Sequence, residues 1–291
     1  EGVNLLKFKI NSTLLSIISL LLIFLSHYYN IKTCLILSVI ILCSGILLFP
    51  DEHKLPILFC ILPWVEVFKF NHESITLYHF LIFSFCLVLL KNNKYKIKNF
   101  IFIMLLIIYV FSVRLFKNII TFDLSFFGFI LMLIFCILLF PNLKKYYNPI
   151  LCSKMFLIGL FLGFISEQFF RKKPNLNVFL SLNTYAPNQI RIGGLLNDPN
   201  FLALQSIMCL CLVINVFKSI DNKKDKHLIL ALSILVTIIT FLTASKMYFL
   251  CLLIIILYYI IKFLIKLKIK NLLFFLILLS ISITVSYHLG F

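Results

Sequence analysis

Charged residues are scarce in this sequence, and acidic ones are the scarcest. Only 13% of the 291 residues are charged, with 10 acidic against 27 basic side chains, whereas 62% are hydrophobic. This composition excludes a soluble globular domain and predicts a polytopic membrane protein, whose surroundings are the lipid bilayer. The formal net charge of +17 does not indicate a nucleic-acid partner, because the basic residues stand in short runs between apolar spans.

Signals for metal binding and for secretion are also missing. None of the nine cysteines belongs to a CxxC pair, and all lie within or at the edge of apolar spans. We therefore expect no disulfide framework, no metal site and no cofactor. The first apolar run has no small-residue cleavage site, so we expect no signal peptide.

Apolar runs that approach the roughly 20 residues required by a bilayer core recur along the chain. They predict an all-α fold, a polytopic transmembrane helix bundle with about 11 membrane spans that forms a single domain over residues 1–291. The predicted spans are 12–29, 33–49, 55–69, 75–90, 99–116, 124–140, 151–169, 199–217, 228–245, 246–262 and 271–289.

Two of these spans have unusual residues. The third contains Pro56 and Pro63 and ends near Glu66, which permits a kinked helix with a functional carboxylate; a short tilted helix with an interfacial Glu66 is the favoured alternative. The seventh carries Gly159 and Gly163 as a GxxxG pattern. Such a pattern predicts close helix packing rather than a ligand site.

The distribution of lysine predicts the orientation of the spans. With a cytoplasmic N-terminus, four basic loops fall on the cytoplasmic side, namely 91–98, 141–150, 218–227 and 262–270. Segment 170–198 is then an extracytoplasmic loop. It carries Arg171, Lys172 and several amides, which suit a glycan that bears a phosphate; a merely solvated loop is the alternative.

The stretch from Arg191 to Ala203 is the polar end of this loop and leads into an apolar span. Gly193 and Gly194 allow a close backbone approach, while Asp198 and Pro199 are residue types that start helices. A helix N-terminus together with Arg191 can hold a phosphate or pyrophosphate. The alternative is an ordinary capped membrane helix with an interfacial arginine.

A second polar break, Thr243-Ala244-Ser245-Lys246, interrupts the spans on the same predicted outer side. Lys246 is either an anchor that snorkels to the interface or a second cation that faces Arg191. We prefer the second interpretation because three outer features then converge.

The two motifs together resemble those of the O-antigen ligase and O-antigen polymerase superfamily. The first motif reads Arg-x-Gly-Gly-x-x-x-Asp-Pro-Asn-x-x-Ala, and the second reads Thr-x-Ser-Lys, where lysine replaces the commoner arginine. The many-span layout and the outward loop before the first motif are similar as well. The matching residues are Arg191, Gly194, Asp198, Pro199, Asn200, Ser245 and Lys246.

The resemblance implies a GT-C-like fold and an inverting, metal-independent glycosyltransferase on the outer face of the cytoplasmic membrane. Its substrate would be an undecaprenyl-pyrophosphate-linked glycan, polymerised into O-antigen, capsule or exopolysaccharide. The implied catalytic residues are Arg191, which holds the pyrophosphate, and Lys246, a supporting cation. The residues expected to bind substrate or to shape the loop are Arg171, Lys172, Gly193, Gly194, Asp198, Asn200 and Ser245.

Several alternatives remain beside the polymerase. The chain stops at Phe291, before a second outer loop that the family carries, so we expect a fragment of a longer protein or a degenerate relative. A ligase that transfers the glycan to a lipid A core is less favoured, because no histidine can be assigned as its base. A transporter or flippase would show internal repeats, and none is evident. A non-catalytic partner of other polysaccharide assembly proteins is the remaining alternative.

Overall fold

The structure is a computed structural model that describes residues 11–65, 76, 78–92, 101, 104–105, 107–109, 111–113, 124–171, 195, 199–241 and 245–266. Within these residues the chain is all-helical and contains no β-strand, as predicted. The helices are α1 Ser12–Tyr29, α2 Lys32–Leu48, α3 Asp51–Ile61, α4 Tyr78–Asn92, α5 Leu124–Leu139, α6 Leu143–Tyr146, α7 Pro149–Arg171, α8 Pro199–Val216, α9 Lys223–Phe241 and α10 Lys246–Lys266.

Four helical segments are long and apolar enough to cross a membrane. They are Ser12–Tyr29, Phe127–Tyr146, Pro149–Phe170 and Pro199–Ser219. Shorter apolar helices cover Lys32–Leu48, Tyr78–Lys91 and Tyr248–Lys262. By length and composition, the described helices are compatible with a membrane helical protein. The last predicted span, 271–289, lies outside the described residues.

Two helices differ from their predicted spans, for reasons of local chemistry. The span predicted over 55–69 is helical from Asp51 and changes to a 3₁₀-helix at Leu62–Trp64, where Pro63 lacks the N–H that an α-helix requires. Helix α9 begins five residues before the predicted 228, because the Asn222 side chain accepts a hydrogen bond from the Lys224 N–H, at 3.0 Å, and starts the helix. Hydropathy marks only the apolar part of a helix.

Asparagine residues cap α1 at both ends, and a short connection leads from it to α2. The Asn11 side chain accepts a hydrogen bond from the Thr13 N–H, at 3.1 Å, at the start of α1. Asn30 ends α1 in the left-handed region, with φ 57°, and asparagine tolerates that conformation better than most side chains. Helices α1 and α2 therefore pack against each other as a hairpin.

The chain divides into two compact units, Glu1–Ser245 and Lys246–Phe291. Within the first unit α7 is the central helix, since it packs against α1, α3, α8 and α9. Cys152 and Met155 of α7 belong to a hydrophobic cluster shared with α1 to α5. Phe156 and Leu160 belong to a second cluster shared with α8 and α9. In the second unit only α10 is described, so the single-domain prediction stays a prediction.

Helices α3 and α7 approach each other closely at Gly159. A Cβ atom at this position would overlap the carbonyl oxygen of Cys60 and would lie 2.9 Å from its carbonyl carbon. The Trp64 indole Nε1–H donates a hydrogen bond to the Gly159 carbonyl oxygen at 3.0 Å. A Cβ at Gly163 would lie 3.4 Å from the same indole nitrogen. The predicted close packing is confirmed at Gly159, whereas a Cβ at Gly163 would make ordinary contacts.

Ion pairs join the starts of several helices at one end of the first unit, which we call the charged end. Asp51 accepts hydrogen bonds from Lys54 at 2.5 Å and pairs with Lys145 at 3.0 Å. Lys54 is only 4% exposed, and its ammonium lies 5.9 Å from the centre of the Tyr146 ring. Burial would raise the pKa of Asp51, but the hydrogen bonds and charges of the two lysines outweigh it and hold that pKa below its ordinary value.

The charged end also includes α1, α7 and α9. Lys154 of α7 donates to Asp225 of α9 at 2.5 Å, and the Ser12 hydroxyl lies 2.8 Å from His53 Nδ1. Residues from the predicted basic loops 141–150 and 218–227 therefore lie at the same end of the first unit. The ends of α1 and α7 and the start of α8 lie at its opposite end.

Candidate functional site

A hydrogen bond joins the two sequence motifs. Helix α8 begins at Pro199, as predicted, and Asn200 is its second residue. The Ser245 hydroxyl, 45 residues later, donates to the Asn200 side-chain carbonyl oxygen at 3.0 Å. Ser245 is fully buried, whereas Asn200 is exposed. The contact thus fixes the second motif against the start of the helix that the first motif opens.

Helices α8 and α9 hold these two residues in place by packing side by side. Leu202 and Val213 of α8 share a hydrophobic cluster with Val236 of α9. The buried hydroxyl groups in this pair donate back to their own helices, as Ser206 does to the Leu202 carbonyl oxygen at 2.8 Å. These hydroxyl groups are thus bonded within their own helices. The polar contact between Ser245 and Asn200 lies at the helix ends.

The first motif also touches α7. Its described residue Leu195 is 2% exposed and belongs to the cluster that contains Trp64. A Cβ built on Gly163 would lie 3.6 Å from the Leu195 methyl carbon Cδ1. Trp64 and the motif segment therefore both lie next to Gly163, on one side of α7.

Glu167 lies one helical turn beyond Gly163 and is fully buried. Residues four apart share a side of an α-helix, so Glu167 is on the side of α7 that meets Trp64 and Leu195. Glu167 is not among the residues predicted from the sequence. The signal was present, since a carboxylate inside a 23-residue helix that is otherwise largely apolar is a candidate functional group by default.

Two amide groups next to this region are incompletely bonded. Among the described residues, Gln168 Nε2 and Gln205 Oε1 are buried and have no hydrogen-bond partner. Gln168 lies near the end of α7 and Gln205 in the second turn of α8, and these helices pack against each other. Buried polar atoms are nearly always bonded, so a free donor and a free acceptor suit a polar ligand such as a sugar hydroxyl.

The structure describes only part of the predicted site. Asn200 and Ser245 are brought together as given above. Arg171 ends α7 and Lys246 begins α10, but their side chains lie outside the described part. Most of the predicted outer loop 170–198 lies outside the described residues. The same holds for the remaining predicted site residues, which are Lys172, Arg191, Gly193, Gly194 and Asp198.

Histidine is the usual candidate for a general base, and two of the chain's histidines near the predicted outer segments are described. His79 Nδ1 lies 2.9 Å from the Thr76 hydroxyl, and the ring lies against Gly128. The His27 ring packs edge-on near Phe170, with centroids 6.4 Å apart. Neither lies in the contact between the two motifs, and His72 and His288 are outside the described residues.

The described residues contain no group of three His, Cys, Asp or Glu side chains that could hold a metal ion. All nine cysteines are described, and none of them forms a disulfide. Comparison with protein-family models, with curated proteins and with solved structures finds no match to this chain.

Proposed function

We propose that this chain is a membrane glycosyltransferase of the O-antigen polymerase and ligase kind. It would polymerise glycan repeat units carried on undecaprenyl pyrophosphate, at the outer face of the cytoplasmic membrane. The proposal includes a GT-C-like bundle of about 11 spans with a cytoplasmic N-terminus. Its partners would be the lipid-linked glycan and other polysaccharide assembly proteins.

The observation that carries the proposal is the hydrogen bond between Ser245 and Asn200. The resemblance rests on two short motifs, and it predicts that both serve one site. A chance match to both patterns would not require them to meet in space. Their contact at 3.0 Å, across 45 residues of sequence, supports a shared site.

The proposed chemistry is a displacement at the anomeric carbon of the donor sugar. The acceptor hydroxyl oxygen bonds to that carbon, the carbon–oxygen bond to pyrophosphate breaks, and its electron pair leaves with the pyrophosphate. The acceptor's hydroxyl proton passes to the departing pyrophosphate or to water. Arg191 holds the pyrophosphate bidentately and offsets its growing negative charge, with Lys246 as a second cation. Asp198 and Asn200 shape the helix start, where free N–H groups favour an anion.

Glu167 has a proposed role in orienting the cations. A carboxylate buried in a membrane helix is stabilised by a nearby positive charge. Arg171 follows Glu167 by four residues, the spacing at which such side chains meet on a helix. We therefore assign to Glu167 the orientation of Arg171 toward the donor. Gln168 and Gln205 would bind sugar hydroxyl groups through their buried amides.

Deletion of the gene in its host tests the function. We would size the surface polysaccharide and the undecaprenyl-linked pool by gel and mass spectrometry. Single repeat units without long chains support the polymerase. Long chains stranded on the lipid carrier would instead assign the ligase reaction, and no change in either pool would reject the enzyme proposal in favour of a transporter or structural protein.

Complementation of that deletion tests the site. Arg191→Ala should abolish product at equal membrane abundance, and Arg191→Lys should restore only part of it, because a point charge replaces the bidentate guanidinium. A matched control is Lys224→Ala, an exposed cation of the charged end, which should keep full activity. Full activity in Arg191→Ala would exclude the assigned role.

A further inference from the structure

An apolar groove runs between α1 and α7 and is closed at its base by the 3₁₀-helix after α3. Its volume is about 160 Å³, close to the ~150 Å³ of an engineered apolar cavity that accepts a benzene ring. Ser166 is the one polar residue that lines it. The main apolar lining residues are Leu21, Phe24, Trp64, Leu162, Ile165 and Phe169.

The groove opens beside an exposed apolar stripe on α1. Leu14, Ile18, Leu21 and Leu25 form an exposed stripe along α1, between 37% and 53% exposed, at the spacing of one helix face. Both α1 and α7 are long and apolar enough to cross a membrane. Because Leu21 belongs to the stripe and to the groove, the groove is continuous with the part of the surface that lipid chains cover.

The depth and length of the groove also match a lipid chain. Phe24 at its end stacks on Tyr28 with ring centroids 5.3 Å apart, and tyrosines near helix ends mark the membrane interface. From Phe169 to Leu162 the groove follows α7 for about 10 Å, at ~1.5 Å per residue. It thus covers about a third of the ~30 Å hydrocarbon core, starting at the interface.

We propose that this groove binds one acyl chain of a bilayer phospholipid, from the leaflet at the C-terminal end of α7. Phospholipid is the medium that surrounds both helices, so it reaches the open side of the groove at the highest concentration. Water is disfavoured, since the apolar walls offer it almost no hydrogen bonds. A bound chain would fill the space beside Trp64 and keep α1 and α7 tightly packed. This inference does not depend on the proposed enzymatic activity.

The sequence offers a direct probe, because Trp64 lines the groove and is the one tryptophan in the chain. Bromine atoms on an acyl chain quench indole fluorescence only at short range. We would reconstitute the full chain in nanodiscs of ordinary phosphatidylcholine or of its dibrominated form. The measurement is the ratio of Trp64 emission between the two.

Two variants obstruct the groove, and one matched variant does not. Leu21→Phe narrows its mouth and Ile165→Phe fills its interior. Leu14→Phe makes the same change as the first at an equally exposed position on the same face of α1, 52% against 53%, but away from the groove. Circular dichroism and thermal unfolding check that each variant folds. If Ile165→Phe does not fold, Leu21→Phe still tests the proposal, because Leu21 is exposed and a larger side chain there leaves the core intact.

The expected result is strong quenching in the wild type and in Leu14→Phe, and loss of most of it in Leu21→Phe and Ile165→Phe. Equal quenching in all four proteins would overturn the proposal, because the bromines would then act from outside the groove. Weak quenching in the wild type would overturn it as well. A polyprenyl phosphate that restores emission in brominated discs would show that an isoprenoid, not an acyl chain, is the preferred occupant.

Discussion

Replacement of Gly159 by alanine tests the central packing contact of the first unit. The new Cβ would overlap the Cys60 carbonyl oxygen and lie 2.9 Å from the carbonyl carbon. Ordinary contacts between carbon atoms are ~3.5–4.0 Å, so α3 must move away from α7 by about 0.6–1.1 Å. That movement lengthens the Trp64 hydrogen bond to the Gly159 carbonyl, now 3.0 Å, beyond a useful distance.

The magnitude of the effect follows from these changes. Overpacking a tight contact costs about 1–3 kcal/mol. A buried indole N–H left without its acceptor costs a further ~1–3 kcal/mol. The higher helix propensity of alanine offsets about 1 kcal/mol of this loss in the free energy of unfolding. We expect Gly159→Ala to lower the free energy of unfolding by about 3 kcal/mol, as the balance of these contributions.

Gly163→Ala is the matched control, because its Cβ would have its nearest neighbours at 3.4, 3.6 and 3.9 Å, which are ordinary contacts. Only the propensity gain remains there, so the variant should be neutral or more stable by up to ~1 kcal/mol. Unfolding in mixed micelles, followed by Trp64 emission, measures both. Equal effects of the two substitutions, or an unchanged stability in Gly159→Ala, would refute the close approach of α3 and α7.

Two further contacts give predictions of known sign. Asp51→Asn leaves Lys54 buried without its carboxylate partner and should lower the free energy of unfolding by about 3 kcal/mol. Lys145→Gln removes only the exposed partner of Asp51 and should lower that free energy by less than ~1 kcal/mol. A denaturant titration measures both variants. Because the pKa of Asp51 is lowered in the folded state, its contribution is present above the ~3.9 of an unfolded Asp and is lost as the pH falls through the folded value. The stability profile of Asp51→Asn should lack that acid-dependent step. Ser245→Ala and Asn200→Ala should show a coupling of about 1 kcal/mol in a double-mutant cycle; strictly additive losses would mean that the hydrogen bond does not contribute.

The helices were predictable wherever an apolar run and its boundary residues coincide. Helix α1 matches its predicted span because Asn11 and Asn30 cap the apolar run at both ends. Helix α9 does not, since its first turn is built from lysines and Asp225, which hydropathy assigns to a loop. Local composition thus predicts the existence of a helix better than its first residue.

The candidate site was predictable only as separate pieces. The motif residues and the helix start at Pro199 could be read from residue types, because caps and glycines act locally. The contact between Ser245 and Asn200 depends on how α8 and α9 pack, which two short motifs do not specify. Glu167 differs, because a carboxylate in an otherwise largely apolar span is visible in the sequence, and only its complete burial depends on the fold.

The hydrogen bond from Trp64 to Gly159 also has a consequence for biosynthesis. The two residues are 95 positions apart, so at ~5–20 residues per second a ribosome needs about 5–20 s to deliver the acceptor after the donor. During that interval α3 and Trp64 are already synthesised, but α7, the helix with which α3 packs most extensively, is not. The nascent first half therefore precedes the helix α7 against which α3 finally packs. Slowed translation between these positions should lengthen its exposure to membrane proteases.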